Sequence, residues 1–298
     1  MTLHTNQPPW RYAIFQFFAG LTALFLILGL LTPQLGWFPQ LVSVQIALDL
    51  SGSTYQNDSK LFRSQGSIMQ QEIDAVKAYA DKNASLPKPN LLSVSGFADK
   101  VVPITSNFSS NRDEIYQAIE RVIQPSIAQQ LGGGTNISLA VENGLSQLKT
   151  QNARCQQMLV ITDGVFELDT QQASEASKNG VKLNFLVVGQ PLTSKIDAWA
   201  RKTGGIALSA NPSNISQLLS GQVFNRFNTS PLIPIFLGLS WISFMWMMLL
   251  PIDRFLEKYL RIRVDISGQI ALFNAAFWTL ATPALLLLAG LINPFHHC

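Results

Sequence analysis

Charged side chains are scarce in this sequence, where Asp, Glu, Lys and Arg make up 13% of the 298 residues, against a usual share of about 25%. The net charge is only +3, and the long middle segment, residues 33–230, carries 16 basic and 15 acidic residues. A disordered chain is excluded, because 47% of the residues are hydrophobic and the net charge is low. A nucleic-acid partner is not expected, since the middle segment is nearly neutral.

Cysteine and histidine are also rare. Two cysteines, Cys155 and Cys298, are too few for a disulfide scaffold, and we expect both to be free thiols because pairing would require the C-terminus to fold back. The three histidines stand at the ends of the sequence, at positions 4, 296 and 297. A zinc site in the middle segment is therefore not expected, because histidine is one of the main zinc ligands.

Three apolar runs without charge lie near the ends of the chain, and each is long enough to cross a bilayer core of about 30 Å. We predict transmembrane helices over residues 13–31, 232–250 and 269–292. A buried core helix is the alternative for each run. For the first run a cleaved signal peptide is a further alternative, which the length of the run and the lack of a small-residue cleavage pattern after it disfavour.

The basic residues beside these runs indicate which side of the membrane each flank faces. Arg11 precedes the first run, and four basic residues lie between the second and the third: Arg254, Lys258, Arg261 and Arg263. Because short cytoplasmic segments collect Lys and Arg, we expect residues 1–12 to form a cytoplasmic tail and residues 251–266 a cytoplasmic loop. The middle segment and the C-terminus then face the other side. Apolar residues recur at helical spacing in the loop, which predicts an amphipathic helix on the membrane surface, with a straight extension of the second span as the alternative.

Apolar strand-like runs alternate with helical stretches through residues 42–224. The predicted strands cover residues 42–49, 91–97, 157–162 and 181–188, and the predicted helices cover a stretch around 69–80 and residues 113–123, 137–148, 169–178 and 195–203. This alternation is typical of α/β domains, so we predict a doubly wound, mostly parallel, Rossmann-like sheet. The segment is long enough to bury one good core.

Oxygen-bearing side chains follow the predicted strands at one edge of this sheet. Asp49, Ser51 and Ser53 come at the end of the first strand, Asp163 follows the third, and Thr135 comes directly after a turn of three glycines. Ligands of doubly wound sheets bind beyond the carboxyl ends of the strands. Because all five side chains offer oxygen, we predict a site for a hard cation, Mg²⁺, with Ca²⁺ or Mn²⁺ as alternatives. Neither glycine-rich nucleotide-binding motif is present in the sequence.

In order and spacing, these residues resemble the metal-ion-dependent adhesion site of von Willebrand factor type A domains. The matching pattern is Asp49-x-Ser51-x-Ser53, then Thr135, then Asp163. The resemblance implies that Ser51, Ser53 and Thr135 ligate the ion directly, while Asp49 and Asp163 act mostly through water. It extends over most of the middle segment.

Two flanking stretches, residues 97–105 and 200–205, resemble segments of bacterial members of this family, and the apolar runs resemble those of membrane-anchored members. We therefore expect a three-span protein of a bacterial inner or plasma membrane, with the type A domain on the non-cytoplasmic side. Membrane lipid is then one partner. Homo- or hetero-oligomers that form through the membrane helices are a further expectation.

A site built from neutral hydroxyls leaves its cation only partly neutralised, so the ion can accept another carboxylate. We therefore expect metal-dependent protein–protein interaction or scaffolding, in which a protein partner supplies an acidic residue, and we expect no enzymatic activity. The alternative is a metal-dependent hydrolase, or a regulatory subunit of a membrane enzyme complex. Hydrolysis needs a base on the metal-bound water, for which Glu167 is the nearest candidate in the sequence.

Overall fold

The chain folds into two compact units, an α/β unit within residues 40–229 and a helical unit drawn from residues 1–39 and 230–295. The computed structural model describes residues 8–35, 42–153, 155–164, 170–228, 232–289 and 291. The first seven residues of the predicted tail, the candidate base Glu167 and the second cysteine, Cys298, lie outside these described residues.

The α/β unit is built on a six-stranded sheet with the order β3-β2-β1-β4-β5-β6. Its strands are β1 (Val42–Asp49), β2 (Leu91–Phe97), β3 (Val101–Pro103), β4 (Cys155–Thr162), β5 (Val181–Val188) and β6 (Ala207–Ala210). Of these described strands only β3, at one edge, runs antiparallel to its neighbour. The prediction of a mostly parallel α/β sheet is therefore confirmed.

The central strands are covered by helices on both faces. The helices of this unit are α2 (Ile68–Ala84), α3 (Arg112–Val122), α4 (Pro125–Leu131), α5 (Ile137–Lys149), α6 (Thr170–Lys178) and α7 (Ser194–Thr203), followed by a helical C-terminal stretch of α8 (Ile215–Leu218), a π-helical turn (Leu219–Val223) and α9 (Phe224–Asn228). Ile46 and Leu48 of β1 share a buried cluster with residues of α2, α3 and the C-terminal stretch. Ala47, between them, belongs to a second cluster with residues of α5, α6 and α7. Burial on both faces explains the continuous apolar runs and gives the doubly wound arrangement.

β1 and β4 lie side by side in the middle of the sheet, with Leu48 paired to Ile161. Both strands are buried along nearly their whole length, and they end at Asp49 and Thr162. Because the two strands are parallel and in register, the residues that follow them emerge at the same edge of the sheet. This edge holds the predicted site.

The first residue of β4, Cys155, is buried and disulfide-bonded. The expectation that it is a free thiol is therefore wrong. The sequence argument failed because separation along the chain does not limit how close two residues come in the folded protein.

The helical unit contains α1 (Ala13–Leu35), α10 (Leu232–Met247), α11 (Leu249–Leu260) and α12 (Val264–Leu288). By length and composition, α1 over Ala13–Thr32 and α12 can each cross a membrane. A third crossing is counted only if Leu232–Met247 is taken together with the preceding stretch Pro212–Asn228 as one broken span. Among the described residues there are thus two clear membrane-spanning candidates, where the sequence predicts three.

A helix is present in the predicted cytoplasmic loop, but it begins earlier than the sequence suggests. The backbone is interrupted at Met248, and α11 starts at Leu249, so Pro251 lies in the first turn of α11. Proline is tolerated there because the first turn has no helical partner for its missing N–H. The rings of Phe255 and Tyr259 stack at 5.0 Å, and both side chains are exposed, as on an amphipathic helix.

Polar contacts join the long helices of this unit. Ser240 Oγ of α10 donates to the carbonyl oxygen of Thr22 in α1 at 3.0 Å. The indole Nε1 of Trp246, also in α10, donates to Thr279 Oγ1 of α12 at 3.0 Å. The ring of Phe18 stacks on Trp246 with centroids 5.7 Å apart. Hydroxyl contacts of this kind are typical of packed membrane helices.

Candidate metal centre

Two neighbouring strands position the acidic residues of the predicted site. Asp49 is the last residue of β1, and Asp163 directly follows β4. The Asp49 side chain is fully buried. Its Oδ1 accepts a hydrogen bond from the backbone N–H of Ser51 at 2.9 Å, and its Oδ2 accepts one from Thr162 Oγ1 at 2.5 Å. The fold itself therefore fixes the orientation of this carboxylate.

Ser51, Ser53 and Asp163 form a short chain of oxygen atoms in front of Asp49. Ser51 Oγ lies 3.0 Å from Ser53 Oγ, and Ser53 Oγ donates to Asp163 Oδ1 at 2.8 Å. A 3₁₀ turn, Gly52–Tyr55, begins directly after Ser51 and brings the two serines to the same side of the loop. The structure thus brings four of the five predicted site residues together.

Thr135, the fifth residue, lies beside this group on the glycine turn. The N–H of Gly52 donates to the carbonyl oxygen of Gly133 at 3.1 Å, which ties the turn to the loop after β1. Thr135 Oγ1 lies 4.0 Å from the position that a Cβ would take on Gly164, the residue after Asp163. Among the described residues, Thr135 is therefore a neighbour of the site without a direct hydrogen bond to the other four.

Asp99, in the turn between β2 and β3, shapes the glycine turn and is not among the predicted residues. Its Oδ2 accepts a hydrogen bond from the N–H of Gly134 at 3.2 Å. A Cβ on Gly132 or on Gly134 would lie 2.1 Å from one of its carboxylate oxygens, and Gly132 has a left-handed φ of +84°. This close approach explains why the turn before Thr135 is built from glycines.

The two aspartates of the site lie in an environment that disfavours their negative charge. Burial raises the pKa of Asp49 to about 6, although hydrogen bonds from Ser51 and Thr162 act in the opposite direction. Burial also raises the pKa of Asp163, against the hydrogen bond from Ser53. A cation placed nearby would favour the charged form of both groups.

A third acid, Glu72 of α2, belongs to the same region and was also not predicted. Burial, followed by the charges of Asp49 and Asp163, raises the pKa of Glu72 well above its usual range. The sequence does carry a signal for it, because Glu72 stands three residues after Met69 and four before Val76, on the apolar face of the predicted helix. Glutamate on such a face is rarely buried unless it is paired.

The donor atoms fit a hard divalent cation. They are all oxygens, and the described residues contain no group of three His, Cys, Asp or Glu side chains that could hold a metal, so an ion here would depend on the hydroxyls. Two ligands at right angles around Mg²⁺, each at about 2.1 Å, lie about 3.0 Å apart. The separation of Ser51 Oγ and Ser53 Oγ is 3.0 Å. The distance of the hydrogen bond between the two hydroxyls is thus also compatible with neighbouring ligands of one octahedral ion.

Comparison with known proteins gives one family match and several solved structures of similar fold. Residues 44–165 match the family model described as von Willebrand factor type A domain, and no curated protein matches the chain. The conserved hypothetical protein BatB from Bacteroides thetaiotaomicron is 20% identical with a TM-score of 0.49, over 63% of this chain and 100% of that one. An aerotolerance-related membrane protein from Bacteroides fragilis is 20% identical with a TM-score of 0.46, over 62% of this chain and 99% of that one. Proximal thread matrix protein 1 from the mussel byssus, with a zinc-occupied metal-ion-dependent adhesion site (MIDAS) motif, is 16% identical with a TM-score of 0.47, over 62% of this chain and 47% of that one.

The family match begins in β1 and ends at residue 165, three residues after the end of β4. It includes all five predicted site residues, so the part of the chain that carries the resemblance is the part that carries the site. The resemblance inferred from the sequence is confirmed at the level of the domain. The middle of this chain therefore contains a von Willebrand factor type A domain.

Proposed function

We propose that the type A domain binds a divalent cation at the carboxyl edge of its sheet and uses that ion to bind a protein partner. The observation that carries the proposal is the chain of oxygens from Ser51 through Ser53 to Asp163, spaced at 3.0 and 2.8 Å. Ser51, Ser53 and Thr135 would ligate the ion directly, with Asp49 and Asp163 in support. Mg²⁺ is the expected ion, with Mn²⁺ or Ca²⁺ as alternatives.

The burial pattern of the site supports a role in binding a large ligand. Asp49 and Ser51 are buried behind the loop, whereas Ser53 and Thr135 are exposed in front of it. A cation held here would supply an electrophilic centre, because hydroxyl ligands do not neutralise its charge. A carboxylate is a ligand that such hard cations favour, so an acidic side chain of a protein partner fits this face. We therefore propose metal-dependent complex formation or scaffolding.

We further propose that the domain binds its partner and does not catalyse a reaction. Both aspartates already accept hydrogen bonds within the fold, Asp49 from Ser51 and Thr162, and Asp163 from Ser53. A general base must reach the proton that it removes, and Asp49 is fully buried with a hydrogen bond on each of its two oxygens. The hydrolase alternative therefore depends on a base other than Asp49.

The helical unit is proposed to anchor the domain in a bacterial inner or plasma membrane. α1 and α12 have the length and composition of membrane helices, and we propose α10 as the third span. The basic residues of α11 and the turn after it would stay in the cytoplasm, so that the domain would face the opposite side. The outer faces of the spans would contact lipid, and any homo- or hetero-oligomer would form through the same faces.

Cation binding is tested on the full chain in detergent micelles, with Mn²⁺ as the probe and its electron paramagnetic resonance signal as the readout. The signal of free Mn²⁺ should fall by one ion per chain, and added Mg²⁺ should restore it. Ser53→Ala should weaken binding, whereas Ser126→Ala, an exposed serine of α4, should leave it unchanged. A full free-ion signal in the presence of the wild-type chain would refute the cation site.

Partner binding is tested by cross-linking and capture from native membranes, with Mg²⁺ or with EDTA. Capture should require the ion and should weaken in Thr135→Ala. Loss of one contact around a desolvated charge costs about 2–4 kcal/mol, which is roughly a 30- to 1000-fold loss of affinity. A partner that is captured equally well in EDTA and by Thr135→Ala would show that another surface makes the contact.

A further inference from the structure

Glu72 is a buried carboxylate for which the described residues offer no hydrogen-bond partner. Its side chain is 1% exposed, and neither Oε1 nor Oε2 is hydrogen-bonded to another described residue. The residues around it on the same face of α2, Met69, Ile73 and Val76, are all fully buried and apolar. Burial of a lone carboxylate is strongly unfavourable unless a cation or hydrogen bonds compensate it. Glu72 is therefore a candidate for a role that depends on its charge.

The electrostatic neighbours of Glu72 are the two carboxylates of the proposed cation site. The charges of Asp49 and Asp163 both act on Glu72, and both oppose its ionisation. Glu72 lies in the second turn of α2, and α2 packs against β1, which ends at Asp49, and against the turn Gly52–Tyr55, which contains Ser53. A cation bound beside Asp49 and Asp163 would therefore lie near the start of α2, and its positive charge would favour the ionised form of Glu72.

We propose that Glu72 is a third carboxylate of the cation site, which strengthens cation binding through its charge and without ligating the ion directly. This inference rests on the cation site proposed above. Direct ligation is not part of it, because the described residues contain no group of three Asp, Glu, His or Cys side chains placed to hold one ion together. Because Glu72 would not touch the ion, the neutral hydroxyls would remain its direct ligands, and the position proposed for a partner's carboxylate would stay open.

A purely structural role does not account for Glu72 equally well. Buried carboxyl groups that serve the fold by hydrogen bonding almost always have a partner, and Glu72 has none among the described residues. The surrounding face of α2 is apolar, so Met or Leu at this position would fill a similar volume without a desolvation cost. The property that distinguishes Glu72 from such a residue is its negative charge.

The test compares Mn²⁺ affinity of the full chain in detergent for the wild type, Glu72→Gln and Asp74→Asn. Glu72→Gln removes the charge and keeps the shape. Asp74→Asn removes the same charge from an exposed position on the same helix, so it controls for a general effect of charge. We expect Glu72→Gln to weaken Mn²⁺ binding by about 10- to 100-fold, because it removes a buried charge whose attraction to a divalent cation is only weakly screened. Asp74→Asn should change it by less than about two-fold, because solvent screens an exposed charge.

A second readout separates the charge of Glu72 from its contribution to folding. In EDTA, Glu72→Gln should unfold at the wild-type temperature or above it, because the variant removes a buried unpaired carboxyl group. Mn²⁺ should then raise its unfolding temperature by less than it raises that of the wild type. Glu72→Asp keeps the charge and should bind Mn²⁺ more tightly than Glu72→Gln does.

The outcomes distinguish this inference from the proposed function. If Glu72→Gln binds Mn²⁺ as tightly as the wild type, or if Asp74→Asn loses as much affinity, the role of Glu72 is refuted and the cation site stands. If the wild type binds no Mn²⁺, the cation site is refuted and the role of Glu72 is refuted with it. Should Glu72→Gln fail to fold, Glu72→Met takes its place as a neutral variant of similar volume, with the same expected loss.

Discussion

The buried aspartate at the end of β1 should make the stability of the α/β unit depend on pH in a direction opposite to that of a salt-bridged carboxylate. Burial raises the pKa of Asp49 from 3.8 to about 6 in the folded protein. Between about pH 4 and pH 6 the folded state therefore keeps a proton that the unfolded state has already released. The stability that this proton contributes is fully present below about pH 4, and it is lost as the pH rises through about 6.

The size of the effect follows from the difference between the two pKa values of Asp49. A change from 3.8 to about 6 corresponds to about 3 kcal/mol of unfolding free energy, an order-of-magnitude figure. Asp49→Asn removes the ionisation, and the amide oxygen can still accept the hydrogen bond from Ser51. In EDTA at pH 7.5 the variant should therefore be more stable than the wild type by up to about 3 kcal/mol, and the two should become equal near pH 4. Mg²⁺ should stabilise only the wild type.

The assay is hydrogen exchange of the β1 and β4 amides in the full chain, corrected for the pH dependence of the intrinsic rate, since these amides report on the α/β unit. Asp163 and Glu72, whose pKa values are also raised, act in the same direction as Asp49. Arg63 and Lys77 lower the pKa of Glu120 to about 2, so stability from Glu120 is lost only as the pH falls toward 2. A wild-type stability that rises from pH 5 to pH 7, or an Asp49→Asn variant that is less stable at pH 7.5, would refute the reasoning.

Two further predictions concern the Thr162 hydroxyl, which donates to Asp49, and the membrane topology of the chain. Thr162→Val removes the donor that lies 2.5 Å from Asp49 Oδ2, so it should lower the unfolding free energy by about 1–3 kcal/mol. The exposed Thr150→Val should change it by less than about 0.5 kcal/mol, and equal effects in the two variants would count against a role for the Thr162 hydroxyl. A reporter that is active only in the cytoplasm should be silent when inserted near Asn111 and active when inserted at Ile262, and activity near Asn111 would overturn the proposed topology.

Most of the central sheet could be predicted because its strands are buried on both faces and separated by helices. The predicted bounds of β1, β2 and β5 coincide with the observed strands, and β4 begins two residues before the predicted position, at Cys155. The edge strands β3 and β6 were not predicted, because runs of three and four residues are too short to show a periodicity. The break at Met248 was missed since no glycine or polar cluster marks it.

The proximity of Asp49, Ser51, Ser53 and Asp163 could be predicted because parallel strands deliver the residues after them to one edge. Contacts between distant parts of the chain leave no such pattern. Thr162 bonds to Asp49 across 113 positions and Asp99 to Gly134 across 35, and neither contact can be inferred from spacing. The sequence does contain a signal for Glu72, because an acid on an apolar helix face conflicts with the local hydrophobic pattern.

Because Asp99 contacts the glycine turn, we expect substitution by alanine to have a different effect at each of its three adjacent glycines. A Cβ on Gly134 would meet an Asp99 oxygen at 2.1 Å, whereas a Cβ on Gly133 would meet nothing within 4 Å. Gly134→Ala must therefore displace the Asp99 carboxylate and break its hydrogen bond, at a cost of about 1–2 kcal/mol, while Gly133→Ala should be nearly neutral.

The double variants supply the decisive comparison. In an Asp99→Ala background, Gly134→Ala should cost less than about 0.5 kcal/mol, because the clash has gone. Gly132→Ala should still cost about 1 kcal/mol in that background, since its φ of +84° strains any residue with a Cβ. Unfolding free energies from hydrogen exchange measure all of these differences. If Gly133→Ala were as damaging as Gly134→Ala, or if Asp99→Ala failed to relieve Gly134→Ala, Asp99 would not be the residue that determines the shape of the turn before Thr135.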